Sequence, residues 1–406
     1  MAKYKVLSID YYDEFQCIGN KCEDHCCKDW SITVDRKSYV KYQKLPASEF
    51  KNKLSGHINR NRRAVNDYDY GKINLIEKKC PMLSEDRLCE IYSKIGPENM
   101  CYTCRIYPRV FNQVDDILEQ SLSVSCVEVS RNLLLRENPI EFNLEIKDAP
   151  EVNVIRQVRT NTSKNISHRY FNEIRQFSIG LIQNRKFTIE NRLAILGLFI
   201  KEVEESDNLD IMIEDIIFNF NNSIKLGQYD GLLEEVISTN IVNAQLEFLT
   251  QLNNIILSKK INNQRFLLNF EKISDGLRLK SGEGEHIKEA FVNSLGNSYR
   301  KFISKNEYIY ENYLVCYMFK TMFPANEKTM METYLSLIVQ FSIMKMNLIG
   351  LCGYYEEGMD IDKMLNLIQS YSVITEHDEF LVGKIQQFLK DKEYNSLAHA
   401  LTIMGK

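Results

Sequence analysis

Nine of the eleven cysteines of this chain lie before residue 127, in three groups. Cys17, Cys22, Cys26 and Cys27 form the first, spaced Cys-x4-Cys-x3-Cys-Cys. Cys80 and Cys89 form the second, and Cys101-x2-Cys104 with Cys126 the third. Thiolates are soft ligands, and clusters of them select zinc or iron–sulfur centres. A centre of either kind takes about four thiolates on one point, with short spacings supplying local pairs and the fold bringing in the rest. The adjacent pair Cys26-Cys27 suits a metal better than a disulfide, whose geometry wants the Cα atoms further apart.

Blander readings compete. Free cysteines are often buried, yet nine in the first 126 residues is a heavy enrichment for simple packing. A disulfide framework needs an oxidising compartment. Residues 1–14 hold no apolar run long enough for a signal peptide, so a cytoplasmic chain is expected. Structural zinc stays open beside iron–sulfur. Cys22-x3-Cys26 begins the Cys-x3-Cys-x2-Cys pattern of radical S-adenosylmethionine enzymes, but position 29 holds Asp29, so that motif is absent. His25 sits between Asp24 and Cys26 and reads as a non-ligand, because enough thiolates are present.

The elements that must carry these residues divide the chain in two. Six of seven prolines lie at or before Pro150, and none falls between 151 and 323. Residues 1–136 carry 22 basic and 19 acidic side chains; the remainder carries 29 and 36. Both shifts place a boundary between Asn138-Pro139 and Pro150. The reading is mainly α: a cysteine-rich, loop-dominated metal module, residues 1–138, packed on an α-helical body, residues 139–406. Leu193, Leu196, Ile200 and Val203 make one helical stripe, and Leu381, Ile385 and Phe388 another. Thr375 with Asp378 three residues on reads as a capping-box start for the second. Strand signals are confined to short runs such as Trp30–Val34.

The net charge of −4 argues against a general polyanion binder. The basic run Lys51–Arg63 has no interleaved aromatics and reads as a solvated helix face, so no nucleic-acid partner is expected. Residues 334–352 approach a membrane span in length, but Gln340, Lys345 and Asn347 lie inside, and a lysine at mid-span is costly. A buried core helix, with no membrane partner, is expected there. Ser281–Glu285 contains Gly-x-Gly without a preceding apolar strand, and reads as an interhelical turn.

The cysteine segments also resemble a known family. Phe15-x-Cys17-x4-Cys22-Glu23-Asp24-x-Cys26-Cys27-x2-Trp30-x-Ile32-x-Val34-Asp35 is similar to the opening of the flagellin lysine-N-methylases. Cys80-Pro81-Met82-Leu83, Leu88-Cys89-x-Ile91, Thr103-Cys104-Arg105-Ile106-Tyr107-Pro108-Arg109 and Glu119-x-Ser121-Leu122-x-x-Ser125-Cys126 continue the likeness over residues 10–135. Broader relatives share a cysteine-rich module described as zinc- or iron-chelating. The resemblance implies methyl transfer from S-adenosylmethionine to lysine ε-amino groups of flagellin, with a [4Fe-4S] cluster. It implies metal ligands among Cys17, Cys22, Cys26, Cys27, Cys80, Cys89, Cys104 and Cys126. Asp29 stands where the family has Gly, Val127 where it has Pro, and Cys101 where it has Ser, which makes Cys101 an extra thiol outside the ligand set. Four ligands suffice for one cluster; the other four are left to a second metal, loop stabilisation or ligand exchange. A non-enzymatic zinc- or iron-binding interaction module, and an iron–sulfur electron-transfer protein, are the rival readings.

A thiolate-held cluster is anionic, so Lys21, Lys28, Arg105 and Arg109 are candidate counter-charges. An acceptor lysine must lose its proton before it attacks a methyl group, so a base or a desolvating pocket is required. Tyr11, Tyr12, Asp13, Tyr107 and Glu119 are candidates, none singled out by spacing.

Overall fold

The computed structural model describes residues 3–148, 152–206, 209–233, 239–258, 261, 263–376 and 379–405. The chain is mainly helical, with two sheets near its N-terminal end. The strands are β1 (Lys3–Ile9), β2 (Thr33–Val34), β3 (Ile58–Arg60), β4 (Gly71–Ile73), β5 (Arg109–Val114), β6 (Ile117–Leu122), β7 (Phe142–Asp148) and β8 (Arg156–Val158).

The first part is less loop-dominated than its composition suggests. β7, β1, β6, β5 and β8 form a five-stranded sheet in that order. β1 runs parallel to β6 and antiparallel to β7, and the turn Asp115-Asp116 joins β5 to β6 as a hairpin. β7 and β8 follow Asn138, so the sheet takes strands from both sides of the composition shift. The pattern hid these strands because β6 is buried on both faces and carries polar residues there. Glu119 of β6 receives both guanidinium nitrogens of Arg175, at 2.6 and 2.8 Å, and Gln120 accepts from Ser8 at 3.0 Å. Alternation marks only half-buried strands.

β2, β4 and β3 make a small second sheet, in that order. With the helices Arg36–Gln43, Glu49–His57 and Glu90–Ile95 it encloses its own core. That core has ten buried members, Ile32, Val34, Tyr42, Leu54, Ile58, Ile73, Cys80, Met82, Ile91 and Cys101. A core this small is the kind that needs a staple. The basic run is partly structural here: Lys53 pairs with Glu90 at 2.5 Å, and Arg60 lies over the Tyr70 ring at 3.4 Å.

The large core belongs to the helices. The helix Ile189–Glu205 buries Leu193, Leu196, Ile200 and Val203, the stripe read from the sequence. The helix Met330–Tyr355 is long and apolar enough to cross a membrane by length and composition, but it is the buried centre of the bundle. Its Lys345 is satisfied inside by Glu190 at 2.8 Å and by the carbonyls of Met404 and Gly405 at 3.2 and 3.1 Å. Gly276 and Gly350 let the helix Gln264–Gly276 press against it, since a Cβ on Gly276 would collide with the Gly350 carbonyl. Within Ser281–Glu285 only Gly282 and Glu283 form the expected connection, Ser281 ending one short helix and Gly284 opening the next.

The capping reading at Thr375 is corrected. Thr375 lies in the last turn of the helix Ile361–Glu376, where its hydroxyl donates to the Tyr371 carbonyl at 3.1 Å. Its proposed partner Asp378 lies outside the described residues, as does His377. The Leu381–Ile385–Phe388 stripe does fall on a helix, Glu379–Asp391.

The Arg175–Glu119 pair joins sheet to bundle, and removing one partner of a buried pair leaves the other charge uncompensated. Glu119→Ala should therefore lower the unfolding free energy by about 3–5 kcal/mol, read as a shifted denaturant midpoint. A loss under about 1 kcal/mol would mean that the pair behaves as a solvated one.

Candidate metal centre and adjoining cavity

Folding gathers the cysteine groups, and Cys26 is the shared neighbour. Cys22, Cys80, Cys89, Cys104 and Cys126 all feel its charge. Burial pushes the Cys22 and Cys80 thiols up to about 11 and Cys126 up to about 12, and neighbouring thiolates push the same way. Cys26 is raised well above the usual thiol value, first by its hydrogen bond with Cys27 and then by burial of the sulfur, although the residue as a whole is exposed. Cys101 and Cys104 are hydrogen-bonded to each other. That bond lowers Cys101 and raises Cys104.

Three of these cysteines are N-cap residues: Cys89 before the helix Glu90–Ile95, Cys101 before Tyr102–Ile106, and Cys126 before Val127–Leu134. The amides of Val129 and Glu128 counter the effect of burial on Cys126, and those of Tyr92 and Ile91 do so for Cys89. Helix starts favour the thiolate form.

Cys17 is exposed and is not among the main electrostatic neighbours of the other thiols. Cys101, set apart by the resemblance, is buried in their midst. Among the described residues no three His, Cys, Asp or Glu side chains meet closely enough to hold a metal ion. The donors fit a soft metal in kind, all being thiols. Crowded thiols resist ionisation, and a bound cation removes that resistance by deprotonating them outright.

Buried polar contacts dock the cysteine loops on the bundle. Gln369, on the helix Ile361–Glu376, donates to Asp24 at 3.1 Å and to the Ser125 carbonyl at 2.9 Å. Asp24 also pairs with Lys28. Glu376 accepts from Ser123 and pairs with Lys320 at 2.5 Å. Ser123 and Ser125 share a hydrogen bond of 2.6 Å, and Tyr107 reaches Ser125 at 3.0 Å. Asp35 caps its own helix through Ser38 and accepts the Tyr102 amide at 2.7 Å, tying the first cysteine segment to the third.

The departures from the family pattern have local explanations. Asp29 has φ +68°, a left-handed conformation that glycine adopts freely and Asp tolerates. Val127 opens the helix after Cys126, at the first position, where proline is accepted.

Beside the cysteine loops lies a cavity of about 670 Å³ between the first part and the bundle. Trp30, Tyr68, Tyr102 and Tyr107 line it, with Arg109 and Arg156. Trp30 packs on Tyr107 at 5.5 Å between ring centres and donates to the Cys26 carbonyl at 2.6 Å. Thr103 bonds Thr33 at 2.6 Å and precedes Cys104. The cavity wall and the thiol loops are therefore the same stretches of chain. Lys320, Glu327 and Glu376 supply charge from the bundle side.

Residues 175–403, more than half of the chain, match the family model described as FliB lysine N-methylase C-terminal domain. The chain belongs to the FliB lysine N-methylase family. It is 22% identical over 420 residues to a protein named Lysine-N-methylase from Salmonella typhimurium (strain LT2), covering 99% of this chain and 100% of that one. The Lysine-N-methylase of Salmonella choleraesuis (strain SC-B67) matches to the same extent. A Flagellar biosynthetic protein FliU from Salmonella muenchen is 28% identical over 181 residues, 44% of this chain and 98% of its own. No solved structure matches.

For this FliB-family chain the other candidate residues separate by environment. Glu119 is spent on Arg175, and Arg105 is exposed. Tyr12 packs edge-on against Phe111. Arg109 lies over Phe15 at 5.1 Å and lines the cavity, as does Tyr107. Tyr68, Tyr102, Arg156, Lys320, Glu327 and Glu376 were not found from the sequence. They come from separate segments, and no local spacing marks them.

At Asp29 the backbone decides the outcome of substitution. Asp29→Gly should leave stability within about 0.5 kcal/mol, whereas Asp29→Ala should cost about 1–2 kcal/mol. Thermal unfolding of the two variants checks this, and an Ala variant as stable as the Gly variant would contradict it.

Proposed function

We propose that this protein is a lysine N-methyltransferase that moves a methyl group from S-adenosylmethionine to ε-amino groups of flagellin, in the cytoplasm, with an iron–sulfur cluster in its cysteine-rich module. The observation that carries the reading is the cavity, on a chain of the FliB family, walled by the segments that also present the thiols. Its volume is within the usual range for small-molecule sites. Aromatic faces at Trp30–Tyr107 and Tyr68–Tyr102 suit a purine, Arg109 and Arg156 suit a carboxylate, and Asp69 and Glu376 suit an ammonium. The donor supplies a methyl carbon on a positively charged sulfur. The chain's residues orient it, keep water away, and hold the acceptor amine.

The cluster would be held by thiols drawn from Cys22, Cys26, Cys27, Cys80, Cys89, Cys104 and Cys126, with Cys101 beside them. Displacement at a sulfonium needs no metal. The proposed work of the centre is to staple the small core and fix Trp30 and Tyr107 as the cavity wall. Zinc would hold the same loops; colour, iron and acid-labile sulfide in anaerobically purified protein separate the two.

Labelled donor with flagellin tests the activity, and calorimetry tests donor binding. Absence of both in metal-loaded protein would end this reading. Cys26→Ser and Cys104→Ser should sharply lower metal content, because a hard hydroxyl replaces a soft thiolate. Cys17→Ser should leave it near wild type. Loss of metal in the Cys17 variant equal to that in the Cys26 variant would place Cys17 in the ligand set. Trp30→Ala should weaken donor binding about threefold to tenfold, the worth of one aromatic contact.

A further inference from the structure

The large cavity has a neighbour of about 560 Å³, and Glu327, Ser336, Gln386 and Leu389 line both. We propose that the acceptor lysine enters through this second cavity and that Glu327, on the shared wall, takes the proton from its ε-ammonium group. The proposal rests on the methyl-transfer reading above.

The second cavity suits a lysine side chain. Glu204, Glu205, Glu327 and Glu332 line it against Lys201 and Lys390, so acid exceeds base. Met331, Leu335 and Leu397 offer apolar contact for the four-carbon stem. The carboxylates are not equivalent. Glu204 accepts the Met330 amide at 3.0 Å, and Glu332 closes a capping box with Thr329, so both serve the start of the central helix. Glu205 faces Lys201 at 3.9 Å. Glu327 is half-buried, and one of its oxygens accepts from Gln386 at 2.7 Å. Its other oxygen accepts no hydrogen bond among the described residues. Next to it, the buried side-chain oxygen of Asn326, on the wall of the larger cavity, also lacks a donor. An amine reaching the shared wall would find an acceptor at Glu327 and, on the larger-cavity side, a second at Asn326.

The electrostatics agree. Burial raises Glu327 above the ordinary carboxylate range, and Glu332 pushes it the same way. The Gln386 hydrogen bond, Lys390 and Arg156 pull it down, and Tyr317 lines the larger cavity with it. A carboxylate with a raised pKa is a better proton acceptor. In the step, one ammonium N–H bond breaks and its electron pair stays on nitrogen as the lone pair. The proton goes to the Glu327 carboxylate, which becomes a neutral acid and later releases it to water through the second cavity. The amine is then the nucleophile at the donor's methyl carbon.

The test uses the full-length, metal-loaded protein with Glu327→Gln and Glu327→Asp. Donor binding is measured by calorimetry. Flagellin binding without donor is measured for native and for lysine-acetylated flagellin. The expected result is unchanged donor binding in the Gln variant, with methyl transfer reduced at least a hundredfold at neutral pH and partly restored by Asp. Wild-type transfer should fall as pH drops through the raised Glu327 pKa, because the base must be ionised. Native flagellin should bind the Gln variant several-fold more weakly than wild type, and acetylated flagellin should bind both alike. A Gln variant that keeps donor binding and transfers within threefold of wild type overturns the proposal while leaving the methyl-transfer reading intact. A wild-type protein that transfers no methyl group overturns that reading, and the proposal with it.

Discussion

The contact between Gln369 and the cysteine loops is the joint on which the site depends. One side-chain amide holds Asp24, between Cys22 and Cys26, and the carbonyl of Ser125, beside Cys126. Two loops a hundred residues apart are thereby set against one helix. A few residues along that helix, Glu376 repeats the arrangement with Ser123 and Lys320. These groups are buried, so each must find its partner or carry a desolvation cost. That requirement gives the loops one position on the bundle.

The thiols and the cavity follow from that position. Bringing Cys126 to Cys22 and Cys26 concentrates sulfur in a volume where ionisation of one thiol opposes ionisation of the next. The same placement turns Trp30 and the Thr103–Arg109 stretch outward as one wall of the cavity, while the bundle supplies the other wall with Lys320, Glu327 and Glu376. The thiol loops and the cavity wall use common backbone.

The family likeness was most readable where one residue's conformation is demanding. Asp29 and Val127 depart from it at a left-handed position and at the first turn of a helix, and the structure shows why each replacement is accommodated. Cys101 shows the opposite case. Pattern matching set it aside, while the Cys-x2-Cys spacing pointed to Cys104 as its partner, and in the folded chain the two sulfurs are hydrogen-bonded. Cys101 caps the short helix Tyr102–Ile106 that carries Cys104, so local backbone alone places the two sulfurs together.

The sequence by itself determined the helical body, the buried central helix and the grouping of cysteines along the first part of the chain. Each is written in short-range periodicity or spacing, which local backbone geometry converts directly into structure. The five-stranded sheet was not legible, because β6 carries Glu119, Gln120 and Ser121 inside, and satisfies the first two with Arg175 and Ser8 from distant segments. The cavity was not legible either. Trp30, Tyr102, Arg156, Glu327 and Glu376 share no period or spacing, and only the packing of the cysteine loops on the bundle makes them neighbours.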